Sequence, residues 1–203
     1  GLFERMDALQ FLVNSLTAAV CSTVIALILG ALAAYAIQRS GAKLSIVLIV
    51  LILCLKMIPT SSIAVPIYEL ICDLGLYDTR IALIIVYAAV NMPFVMWTML
   101  SFYEANSLQT FRRVILPICT PGLATAFIFT LFLAWNDFLL ALLLTSTNAK
   151  TFTVGLAGFL SAYNLDLGPM CAGAFLFSFP VMIISLVAQK YIVQGMTAGA
   201  VKG

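Results

Sequence analysis

The amino-acid sequence predicts an all-α polytopic membrane helix bundle, and three observations carry that prediction. Of its 203 residues, 64% are hydrophobic and only 9% are charged, against roughly 25% charged in an ordinary soluble domain. Charge-free runs recur at the length of about 20 helical residues that crosses about 30 Å of hydrocarbon. Strand-type alternation is absent, which argues against a membrane barrel. The same arithmetic excludes other classes. Ten Lys plus Arg and eight Asp plus Glu are too few to coat a soluble surface, and the chain is too apolar for disorder. A net charge of +2 lacks the basic footprint of a nucleic-acid binder. With no histidine, histidine catalysis and histidine metal sites are ruled out.

Five spans are expected in order. The first is the run Ala8 to Gln38, with its most apolar part from Ser15 to Ile37. The second extends from Leu44 to Tyr68, interrupted by Lys56, Pro59 and Pro66, and should break near Pro59. The third is Ile81 to Tyr103. The fourth runs from Val114 through Asn136, past Asp137, to about Thr145. The fifth is Leu167 to Gln189. The five cysteines mostly lie within these runs and form no CxxC pair, so they read as small apolar filler.

Lys and Arg distribution orients the bundle. Segments 39–43, 104–113 and 190–203 hold six cations, and the opposite side holds four: Arg5, Lys56, Arg80 and Lys150. The first side, with the C-terminus, is therefore expected to be cytoplasmic. The N-terminus of five spans then lies outside. Because the chain opens on Gly1 rather than Met, a sixth span upstream is the expected reason. Glu69, Asp73 and Asp78 cluster on the outer side and read as a solvated face.

Nothing in the chain resembles a catalytic apparatus. A GxxxxGK[ST] phosphate loop is absent, and no nucleophile has a histidine partner. Uphill movement of a solute would need energy from a partner or an ion gradient.

The most informative stretch is Ser107 to Gly122, a short basic amphipathic segment ending in Leu116-Pro117 and Pro121-Gly122. By itself it reads as a helix end obeying the positive-inside rule. It also resembles the cytoplasmic coupling loop of binding-protein-dependent ABC importer permeases of the carbohydrate-uptake type. Further matches follow in the family's order. They are Asn14-Ser15-Leu16, Ala34-Tyr35-Ala36, Pro66-Ile67-Tyr68, Leu74 to Thr79, Asn91-Met92-Pro93-Phe94, Ala134 to Phe138, and the ending Gly195 to Gly203.

The resemblance implies a single permease domain over 1–203, with a coupling loop at 104–117 and an outer loop at 146–166. Glu104, Ala105, Leu108, Phe111, Arg112, Arg113 and Pro117 would dock on an ATPase subunit. Phe159 and Tyr163 would meet an extracytoplasmic substrate-binding protein, with an interfacial re-entrant segment carrying aromatic anchors as the alternative. Other implied partners are a second permease subunit, forming a heterodimer, and membrane lipids, but no nucleic acid. No cofactor is expected in this chain, since ATP and magnesium would be held by the ATPase. One departure stands out. Glu104 lies thirteen positions before Pro117, closer than the family's spacing. The first half of the coupling helix is therefore expected to be missing between Glu104 and Ala105.

Ionisable residues inside a span are candidate sites. Asp137, flanked by Trp135 and Asn136, offers a carboxylate, an aromatic face and hydrogen-bonding groups, as a sugar path requires. A structural cap or interhelical bond is the alternative, and a step of 100° per residue keeps all three from lining one path equally. Asn91, two before Pro93, and Tyr87, one turn earlier, share a face and are added to the path. Lys56 is expected to snorkel outward, with pairing to Asp137 as the alternative. Gly30, Ala34, Ala172 and Gly173 read as close-packing positions. Since Lys56 is the only cation in the spans, a neutral di- or oligosaccharide is favoured over glycerol phosphate, with polyols also open. An ion-coupled secondary transporter is the rival class, and Asp137 is the only acid available to it.

Overall fold

A computed structural model describes residues 7–100, 120–158 and 167–200. Among them there is no strand, and eight helices follow in chain order. They are α1 (Ala8–Gln38), α2 (Ala42–Met57), α3 (Thr60–Asp73), α4 (Arg80–Leu100), α5 (Thr120–Trp135), α6 (Leu139–Leu144), α7 (Phe152–Ala157) and α8 (Leu167–Ala200). The all-α prediction holds, and α1 has the bounds of the first expected span. α1 and α4 are each long and apolar enough to cross a membrane alone, and α2 with α3 makes a third, bent candidate. α5 and α8 supply shorter apolar stretches, Gly122–Trp135 and Met170–Leu186.

α1 lies principally against α4, and α5 packs on both. The cause is a stripe of small residues. Ala18, Ser22, Ala26, Gly30 and Ala34 recur every fourth position and are all buried, so they line one face of the helix. At Gly30 α4 packs so close that a Cβ would stand 2.8 Å from Val95 Cγ1. Such a seam suits a membrane, where helices associate through close packing rather than by hydrophobic exclusion. Gly30→Ala is therefore expected to destabilise by about 1–3 kcal/mol through overpacking. Val95→Ala in the same chain should restore most of that loss. Thermal unfolding of the detergent-solubilised subunit checks both.

The outward face of α1 carries Leu9, Val13, Leu16, Val24, Ile28 and Leu32, all exposed. On α2 most of the large apolar side chains are exposed, and Ile52 is buried. A bundle with its apolar side chains turned outward is built for lipid or for other membrane chains.

The break expected near Pro59 is present. Ile58 and Pro59 are extended, and α2 and α3 meet at 89°. The residue before a proline is pushed out of the helical region, so the helix stops there. α3 ends in a Schellman turn: Leu76 N–H donates to the Ile71 carbonyl at 3.0 Å and Gly75 N–H to Cys72 at 2.9 Å. Gly75 takes the left-handed conformation that turn needs, with φ +66°. One hydrophobic cluster, around Leu83, Tyr87, Trp135 and Phe152, fills the end of the bundle near that turn. A second, around Ala26, Val95 and Met99, fills the other end.

Candidate functional site

The fourth expected span is discontinuous. α5 stops at Trp135, residues 136–138 are non-helical, and α6 restarts at Leu139. Asp137 sits in the break and closes it. Its Oδ1 accepts the N–H groups of Leu140 and Ala141, each at 3.1 Å. A carboxylate there satisfies donors that the first turn of α6 leaves open. The same oxygen accepts the Tyr87 hydroxyl from α4 at 3.1 Å. The backbone carbonyl of Asp137 accepts Thr153 Oγ1 from α7 at 2.9 Å. One residue thus joins α4, α6 and α7.

The other residues expected on the path divide. Tyr87 and Asn91 are buried, and Asn91 Nδ2 donates to the Tyr87 carbonyl at 3.0 Å. Trp135 is also buried and does not present a free ring. It stacks on Phe177 of α8 with centroids 4.8 Å apart, and Phe177 stacks on Phe152 at 5.3 Å. The indole Nε1 has no hydrogen-bond partner among the described residues. Asn136 is exposed, its Nδ2 donating to the Phe132 carbonyl at 2.9 Å. The break therefore presents Asn136 and the half-buried Asp137, while Trp135 and Tyr87 support it from behind. Lys56 does not pair with Asp137. Its ammonium lies over the Phe94 ring, 5.6 Å from the centroid.

A second polar cluster, which sequence reasoning missed, holds the end of the bundle. Asn14 and Ser15, about two turns from the start of α1, are buried. Asn14 Oδ1 accepts Arg80 Nε at 2.7 Å, and its Nδ2 donates to the carbonyls of Asn148 and Lys150, each at 2.9 Å. Ser15 Oγ accepts Phe152 N–H at 2.9 Å. Asp78, with φ 57°, accepts the backbone N–H groups of residues 146–149, the closest at 2.9 Å. Asp78 thus departs from the solvated face expected of it with Glu69 and Asp73, whose side chains are exposed. Its carboxylate fills a nest of backbone donors. The available signal was the polar pair Asn14-Ser15 at the mouth of an apolar run.

Partial burial pushes the Asp78 carboxyl up, but the N–H groups of Asn148, Ser146, Ala149 and Thr147 together hold it well below the usual carboxylate range. A depressed folded value means the latch is at full strength above the unfolded pKa of about 3.9 and is lost only as pH falls through the folded value. Acidifying to about pH 4 should therefore leave segment 146–149 anchored. Asp78→Ala should free it at neutral pH. Labelling of a cysteine placed at Thr147 measures both.

Glu104, Ala105, Leu108, Phe111, Arg112, Arg113, Pro117, Phe159 and Tyr163 lie outside the described residues. Among the described residues no three His, Cys, Asp or Glu gather as a metal site.

The profile of the binding-protein-dependent transport system inner membrane component matches residues 99–198. The trehalose transport system permease protein SugB of Mycobacterium tuberculosis (strain CDC 1551 / Oshkosh) is 37% identical across 100% of this chain and 80% of its own length. That alignment runs over 220 positions, more than the 203 residues of the chain, so the relative has residues within it that find no counterpart here. The trehalose/maltose transport system permease protein MalG of Thermococcus litoralis is 32% identical over 95% of this chain and 75% of its own. Among solved structures, a bacterial ABC transporter involved in import of the acidic polysaccharide alginate superposes with a TM-score of 0.69. It covers 90% of this chain and 74% of its own at 24% identity, a likeness of fold.

Proposed function

The chain belongs to the family of binding-protein-dependent transport system inner membrane components, the permease subunits of ABC importers, and from that membership we propose that its solute is a neutral di- or oligosaccharide. The observation that carries the substrate class is the broken helix α5–α6. Interrupted membrane helices place polar groups at depth where a solute passes. Here the break offers an amide and a carboxylate that is already a hydrogen-bond acceptor, and Lys56 is not at the break. Such a site suits hydroxyl groups better than a phosphate. The likeness to permeases of trehalose and maltose transport supports the same class.

In this reading the chain pairs with a second permease subunit in the cytoplasmic membrane of a prokaryote, with its C-terminus in the cytoplasm. A soluble binding protein delivers the solute at the end that carries Asp78, with Phe159 and Tyr163 as contacts. ATP and magnesium are bound by separate ATPase subunits. Their closure reaches the bundle through Glu104, Ala105, Leu108, Phe111, Arg112, Arg113 and Pro117. In this reading part of the loop is missing between Glu104 and Ala105, and the Mycobacterium relative does carry residues within the alignment that find no counterpart in this chain.

A ligand screen on the cognate binding protein tests the substrate class. Tight binding and matching uptake are expected for neutral disaccharides. Binding of glycerol phosphate with no response to sugars would overturn it.

A further inference from the structure

The right-angled junction of α2 and α3 encloses, with α4, a cleft of about 340 Å³, near the lower end of the roughly 300–1,000 Å³ typical of ligand sites. Its walls include Lys56, Thr60, Ile63, Ile67, Ala89 and Pro93. All but Lys56 and Thr60 are apolar. Ala89 and Pro93 lie on the face of α4 opposite Tyr87 and Asn91, by the 100° step of a helix. The cleft is therefore separate from the Asp137 break.

Lys56 defines its chemistry. It follows Lys43 by thirteen residues along α2, about 20 Å at 1.5 Å per residue. Its ring partner Phe94 adjoins Val95 of the cluster that fills the end away from the Asp78 turn, so Lys56 lies in the half of the bundle toward that end, next to exposed apolar side chains of α2. No carboxylate among the described residues pairs with it; its partner is the Phe94 ring, which attracts a cation without neutralising it. A cation at membrane depth calls for an anion. Pro93 also lacks the N–H that the Ala89 carbonyl would otherwise accept, which leaves an acceptor for a hydroxyl-bearing headgroup.

We propose that this cleft binds an anionic phospholipid. The phosphate meets Lys56 Nζ and the Thr60 hydroxyl, and an acyl chain runs along Ile63, Ile67 and Pro93. A single cation above apolar walls matches that amphipath. A neutral sugar would find too few polar partners there, and a soluble phosphate would leave the walls unfilled.

The test uses the whole importer complex in bilayers of phosphatidylcholine carrying phosphatidylglycerol, with retained phosphatidylglycerol read by native mass spectrometry. Lys56→Met, which removes the charge, and Ala89→Trp, which fills the cleft, should each lower retention about fivefold, the effect of one cation near a membrane surface. Lys56→Arg and the control Lys150→Met should retain the lipid, and added glycerol phosphate should not displace it. Equal retention in every variant would overturn the proposal. So would displacement by glycerol phosphate, which marks a soluble phosphate site. A photo-crosslinker at Ile63 that captures the second permease subunit in place of lipid would also overturn it.

Discussion

Replacing Asp137 with alanine is expected to cut solute uptake at least tenfold while the subunit still reaches the membrane. Two losses add. Removing a capping carboxylate from a helix start costs about 0.5–2 kcal/mol. Stranding the buried Tyr87 hydroxyl costs about 1–3 kcal/mol more. The sum exceeds the roughly 1.4 kcal/mol that separates a factor of ten. The damage falls on the junction where α4, α6 and α7 meet, so the break should lose its fixed geometry rather than the bundle its fold. Asp137→Asn keeps an acceptor oxygen and should lose less. Tyr87→Phe removes only one bond, leaves the cap in place, and should be milder still. Uptake normalised to membrane abundance distinguishes the three. Asp137→Ala with unchanged uptake would show that the break has only a packing role.

Phe111→Ala is expected to uncouple the transporter. In the proposed docking loop Phe111 is the one large aromatic side chain between Glu104 and Pro117. Truncated aromatic anchors at interface centres commonly cost 2 kcal/mol or more, a factor of about 30. ATP hydrolysis by the assembled complex should therefore stop responding to loaded binding protein, and uptake should fall by at least tenfold. The variant subunit should remain in the membrane with its partner permease. Unimpaired uptake would remove Phe111 from the docking surface. A partial loss that is strongly salt-dependent would assign the contact to Arg112 and Arg113 instead.

The fold was legible where the signal was one-dimensional. The run Ala8 to Gln38 has no charge inside it, so length alone set the bounds of α1. Ile58-Pro59 carries its own steric reason to break, and the break is there. Gly30 and Ala34 were legible as packing residues because small side chains in an apolar run have little other use. The break at Asn136–Phe138 was not legible. Asn136 and Asp137 stand between two apolar runs and read as polar residues inside one span, and only the hydrogen bonds of Asp137 show that a new helix starts there. Trp135 looked available to a solute, because sequence does not reveal that Phe177, more than forty residues on, stacks against it. Asp78 was misread for the same reason. Its donors lie about seventy residues away in the chain, and a charge beside other charges reads as solvated until its partners are known.

ATP dependence of uptake by the purified complex tests the central claim most directly. The permease pair, its ATPase subunits and the binding protein are reconstituted in sealed vesicles, and labelled disaccharide is followed across the membrane. Accumulation should require both ATP and the loaded binding protein, and should persist when ionophores collapse all ion gradients. Accumulation that continues without ATP and follows an imposed proton or sodium gradient would contradict it.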